Sequence, residues 1–251
     1  MDESVRALER DSEAGDLETQ TALLAQHLRS GGLSAERLDL LCILDHPPAR
    51  ALRGKDAPRG WTNMVGGGSR NQGWYSLNWV RRLQTCGREV PVRAGVAAAR
   101  YLAKVRGCTH PAPNLDRVEA WTDDPSNKGL KVLRAAVVLE DDAGHPDPFY
   151  AAVESAAVEW VHQKTPKQAM LKAGIRGFML AAIRLTHPTK ADIEYDHSTG
   201  KDLNEIHGAV RSALLEWVLK PLGAPASAWE SPDPGCYAQP WRANDPDPVD
   251  D

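Results

Sequence analysis

Phenylalanine is nearly missing from this chain. Its 251 residues hold two, against eight tryptophans and five tyrosines. Cysteine is sparse and scattered: Cys42, Cys86, Cys108 and Cys236 form no C-x-x-C pair. That argues against a zinc site and a disulfide framework, and the four read as separate, mostly buried thiols. No apolar run approaches the roughly 18 residues that span a bilayer. The opening stretch MDESVRALERDSEAGDLE is acidic and lacks the hydrophobic centre of a secretory signal, so a cytoplasmic location is expected. Neither sign of charge dominates. Thirty Lys and Arg stand against thirty-four Asp and Glu, a formal net charge of −4. Such a balance gives no global attraction to nucleic acid or anionic lipid, so neither a nucleic acid nor a membrane is expected as partner. The sequence holds no G-x-S-x-G, no G-x-x-x-x-G-K-[ST] and no H-E-x-x-H. Single Ser, Cys and His residues are too common to nominate as nucleophiles, so no catalytic residue and no cofactor is assigned.

Strand-period alternation is also missing, whereas apolar residues return at the helical period almost everywhere. The stretch PVRAGVAAARYLAKVR, Pro91 to Arg106, organises the rest. Val92, Val96, Ala99 and Ala103 form one apolar stripe, and Arg93, Arg100 and Lys104 form a separate basic one. The alanines between favour helix and let a neighbouring helix approach closely. Before it, Ser4–Glu13 and Leu17–Arg29 read as helices, the second with Leu17, Leu24 and Leu28 on one face and Gly31-Gly32 as its stop. Ser34 reads as the N-cap of SAERLDLLCIL, and a short helix follows Pro47-Pro48. Residues 54–73 hold six glycines and read as a long loop. Trp74 to Cys86 follows as a helix.

After Gly107, Asn114 reads as the cap of LDRVEAW, with Leu115, Val118 and Trp121 inward. Asp124-Pro125-Ser126 then opens a helix carrying Leu130, Leu133, Val137 and Val138. Further helices carry Phe149, Val153, Ala156, Ala157, Trp160 and Val161, and then Met170, Leu171, Ile175, Phe178 and Met179 beside the small Ala173, Gly174 and Gly177. Residues 186–200 form a second long connection. The last helix shows Leu203, Ile206, Val210, Leu214, Trp217 and Val218 on one face, and Pro221 ends it. Four His-Pro pairs, at His46, His110, His145 and His187, read as helix-ending turn chemistry. The fold expected is all-α: one irregular helical bundle or solenoid-like array of about eight to ten helices. An acidic segment 1–16 precedes a helical domain 17–222, and an irregular Pro- and Asp-rich tail fills 223–251.

Three groups invite a chemical reading. Gly66-Gly67-Gly68-Ser69 lacks phosphate-loop spacing and reads as a flexible loop. Asp192, Glu194, Asp196, His197, Asp202, Glu205 and His207 crowd one stretch, and carboxylates with imidazoles suit a divalent metal. Their spacing fits neither an EF-hand nor a metalloprotease helix. No metal is therefore assigned, with Asp192, Glu194, Asp196 and His197 as the candidates to watch. The third group is basic and aromatic: Arg81, Arg82, Arg93, Arg100 and Lys104, near Trp61, Trp74 and Trp79 in sequence. Trp and Arg are over-represented in protein–protein hot spots, so these eight are the candidate partner-binding residues.

Val92–Arg100, His110-Pro111, Glu119-Ala120-Trp121 and Asp124-Pro125-Ser126, together with the stretch SAERLDLLCILDHPPARALRG, carry a resemblance. They resemble the Ala-rich helical immunity proteins of bacterial polymorphic-toxin systems. The resemblance implies a cytoplasmic helical protein that neutralises another protein by covering it, and brings no catalytic residues. The expectation is a non-enzymatic bacterial protein-binding protein whose partner is a cognate toxin. The alternatives are a metal-dependent helical enzyme built on 192–207 and a scaffold or adaptor in a larger bacterial assembly.

Overall fold

The computed structural model of the chain describes residues 16–60, 72–109, 112–137, 148–163, 166–186 and 200–222. Every regular element within them is helical, as expected. The α-helices are α1 (Leu17–Ser30), α2 (Ala35–Ile43), α3 (Pro47–Arg53), α4 (Gln72–Leu83), α5 (Val90–Arg106), α6 (Pro113–Asp123), α7 (Asn127–Ala136), α8 (Pro148–Val158), α9 (Pro166–Thr186) and α10 (Gly200–Leu219). Short 3-10 turns extend α3, α4, α8 and α10.

Local chemistry sets most of the ends. Asp16 accepts from the Thr19 N–H at 2.9 Å and caps α1, and Gly31 closes that helix at φ 78 in the left-handed region. Ser34 accepts from the Arg37 N–H at 3.2 Å, the cap read from the sequence. Ser126 does the same for Gly129 at 3.0 Å. One cap differs from expectation. The sequence puts Asn114 outside α6, whereas the helix starts at Pro113 with Ala112 as its N-cap. Proline's fixed φ suits the first helical position, and its missing N–H is one the helix leaves unbonded anyway. The loop expected over 54–73 is also shorter. Gly54–Asp56 is a 3-10 turn and α4 already runs from Gln72. The helix expected at Ser4–Glu13, the Gly66–Ser69 stretch and the tail after 222 lie outside the described residues.

The hub of the bundle is α5. It packs along α9 most extensively and meets α6, α8 and α10 on its other sides. The expected stripe is buried at Val92, Val96 and Ala99, but Val90, Ala94, Ala98 and Leu102 are buried too, because helices cover more than one face. Neighbours on several sides make this a bundle rather than a linear array. The α5–α9 contact depends on missing side chains. A Cβ on Gly174 would sit 2.2 Å from the Pro91 carbonyl oxygen, and one on Gly95 would sit 3.2 Å from the Gly174 Cα. At the N-terminal side α1 packs on α3, and α2 carries the main contacts to α4, to the 84–86 turn and to α10. Leu24 is buried and Leu28 packs against the core, but Leu17, the first residue of α1, is exposed, and Leu23 is buried in its stead. One connected core runs from Leu24 to Leu222.

Candidate functional site

The basic side chains of α5 meet an acidic stripe on α6. Asp116, Glu119 and Asp123 recur at the helical period, so they line the α6 face that looks back at α5. Arg93 reaches Glu119 at 3.2 Å and Asp123 at 2.8 Å. It also donates to the Thr122 hydroxyl at 2.8 Å. Arg100 pairs with Asp116 and, at 3.3 Å, with Glu119. These pairs hold α6 against the hub.

Trp217 of α10 joins them. Its Nε1–H donates to Asp123 Oδ1 at 2.9 Å, the same oxygen that accepts from Arg93. The Arg93 guanidinium lies 4.9 Å from the indole centroid, and the Arg37 guanidinium of α2 lies 4.0 Å from it. Both distances suit cation–π attraction. Arg37 in turn pairs with Glu89 at 2.8 Å. Burial lowers the Arg37 guanidinium from its ordinary value, and the Glu89 carboxylate opposes that. One half-buried indole therefore ties α2, α5, α6 and α10 together at the surface.

The sign of the exposed charge follows from burial. Arg93 is 14% exposed, whereas Asp123 and Asp116 are 60% and 65% exposed. Three arginines, Arg37, Arg93 and Arg100, meet four carboxylates, Glu89, Asp116, Glu119 and Asp123. Arg93 is thus sheathed, whereas Arg100 stays 40% exposed and Lys104 is open to solvent, and the most exposed charges of the paired set are the Asp116 and Asp123 carboxylates. The residues next to Arg37 and Glu89 in sequence, Glu36 and Arg88, line a shallow cleft of about 470 Å³ with Gln84, Thr85, Cys86, Gly87 and Met170. Burial pushes the Cys86 thiol up to about 11, so it stays protonated at neutral pH and is no ready nucleophile.

The other sequence candidates scatter. Trp79 is wholly buried, its Nε1–H donating to the Ile43 carbonyl at 3.3 Å. It is a core residue and not a surface anchor, because α9 and α10 close over α4. Arg81 and Lys104 are exposed, and Arg82 donates to the Arg59 carbonyl at 3.4 Å. Trp61 lies outside the described residues, as does the side chain of Trp74. So do Asp192, Glu194, Asp196 and His197. Of the rest of that crowd, Glu205 is exposed while His207 is buried edge-on against the Trp79 ring, so the two do not converge. Among the described residues no group of three or more His, Cys, Asp or Glu is placed to hold a metal ion.

Arg37, Asp123 and Trp217 are the functional candidates that sequence reasoning misses. Trp217 falls on the apolar period of α10 and reads as core. The stripe of Asp116, Glu119 and Asp123 is legible as a periodic acidic face, and is the one signal that points to the seam. No helix of the described residues is long and apolar enough to cross a membrane. No family model, curated protein or solved structure matches the chain.

Proposed function

We propose that this chain is a non-enzymatic protein-binding protein that acts by covering its partner, and that the partner is a cognate toxin. The observation that carries the reading is the Arg37–Trp217–Arg93 stack at the surface, rimmed by the carboxylates of Asp116, Glu119 and Asp123. An indole flanked by guanidinium groups is hot-spot chemistry, and a charged rim sets orientation and encounter rate. Hydrogen bonds and ion pairs fix these side chains before a partner arrives, which lowers the ordering cost of binding. Because Asp116 and Asp123 are the most exposed charges of this set, the complementary surface is basic. Residues 34–54 and 92–138 resemble bacterial immunity proteins, and this supports a toxin as the partner.

The test is affinity capture from the native host with the wild-type chain and with Trp217→Ala. The wild type is expected to retain one basic protein, and the variant to bind it at least about 30-fold more weakly, the scale of a hot-spot truncation. Equal retention by both chains, or no retained protein, would overturn the reading.

A further inference from the structure

The carboxyl end of α2 is where the N-terminal helices are tied to the body. The helix closes in a Schellman turn. The Asp45 N–H donates to the Cys42 carbonyl at 3.0 Å and the His46 N–H to the Leu41 carbonyl at 2.9 Å. Asp45 occupies the left-handed position at φ 53, which aspartate tolerates better than most residues. Side chains from far along the chain take the remaining carbonyls. Trp79 of α4 takes Ile43 at 3.3 Å. Arg211 of α10 donates from Nε to Leu44 at 2.6 Å and from Nη2 to Asp45 at 3.3 Å.

This joint also gathers buried titratable groups. Arg211, His46 and His207 are each almost fully buried. His207 sits one helical turn before Arg211 on α10, its ring 4.4 Å from the Trp79 ring. His46 directly follows the turn that Arg211 holds. The charged group acting on both imidazoles is Arg211 from α10, while Asp45 in the turn pairs with Arg50 from α3, whose Nη1 lies 3.6 Å from Asp45 Oδ1. From α4 comes the neutral Trp79 ring, backed by Phe178 of α9. Burial first, and the Arg211 charge second, hold His46 down to about 3 and His207 well below its ordinary value.

We propose that this joint is an acid-sensitive latch. With the His46 imidazole neutral it holds α1–α3 against α4 and α10, and its protonation in mildly acid solution releases those three helices while α5 and α9 stay folded together. A histidine kept neutral in the closed joint takes its proton only when the joint opens. Its contribution is complete above the ordinary pKa of 6.5 and is lost as pH falls below it. Between pH 7 and pH 5 the His46 imidazole then favours the open joint by roughly 25-fold. The α5–α9 crossing closes at Pro91, Gly95, Ala173, Gly174 and Gly177, none of which titrates.

Hydrogen exchange on the full chain from pH 7.5 to pH 5, corrected for intrinsic exchange, tests this. Peptides within 17–53 are expected to open roughly 25-fold more readily at pH 5 than at pH 7, with those covering 94–106 and 170–181 unchanged. His46→Asn should abolish most of that response. Unchanged protection of 17–53 at pH 5, loss in step with α5 and α9, or an undiminished pH response in His46→Asn would overturn the latch. Should a variant fail to fold, the wild type still decides. Imidazole proton resonances of His46 that titrate near pH 6.5 while 17–53 remains protected would also overturn it.

Discussion

Asp123 Oδ1 accepts from both Trp217 and Arg93, so one oxygen links α10, α5 and α6. Removing a shared acceptor unsettles both donors, whereas an exposed pair contributes little. Arg100 is 40% exposed and Asp116 more so. Arg100→Ala should therefore change unfolding free energy by less than about 1 kcal/mol in urea titration. The thiols separate by burial. Cys42 and Cys86 are buried, with burial pushing each up to about 11, and Cys108 is half-buried. Peptide mapping after brief alkylation should find Cys108 labelled well before Cys42 and Cys86. Equal labelling would contradict their burial. At this scale the sequence is readable only in part. Arg93 and Arg100 stand out as one face, but the carboxylates that neutralise them sit on the next helix, and Arg37 meets Trp217 across most of the chain length. Periodicity says which face a residue lies on and nothing about what covers that face.

Helix ends and crossings carry the next set of expectations. Gly174 and Gly208 are both helical glycines, yet they predict opposite outcomes. A Cβ at Gly174 collides with Pro91 backbone, while one at Gly208 meets nothing within 4 Å. Gly174→Ala should destabilise by about 2 kcal/mol through forced separation of α5 and α9. Gly208→Ala should stabilise by about 0.5–1 kcal/mol through helix propensity. Chemical denaturation of the two variants checks both signs. Arg211→Met would leave the Leu44 and Asp45 carbonyls buried without this donor, at a cost of about 3 kcal/mol in the same measurement. The caps at Ser34 and Ser126, the stop at Gly31 and the small-residue face of α9 are all legible in the sequence, because each is set by a few neighbouring residues. The stop of α2 before His46-Pro47 is legible too, but its last carbonyls are taken by Trp79 and Arg211, and no local pattern announces that.

For the whole molecule, the apolar period alone indicates an all-α bundle or solenoid-like array organised around 91–106, and the described helices form a bundle with α5 as its hub. The location of the proposed binding surface is less legible. It depends on which side chains of α5 are covered by α6 and which side of α10 stays wet, and both are set by packing among helices distant in the chain. The resulting surface exposes the Asp116 and Asp123 carboxylates beside a half-buried indole, and this is the basis for expecting a basic protein partner. The most direct test is a hydrogen-exchange footprint of the complex with the protein captured by affinity. Added protection is expected in α6 and the C-terminal half of α10, around Asp116–Asp123 and Trp217. Protection confined to other helices, with this seam unchanged, would contradict the account.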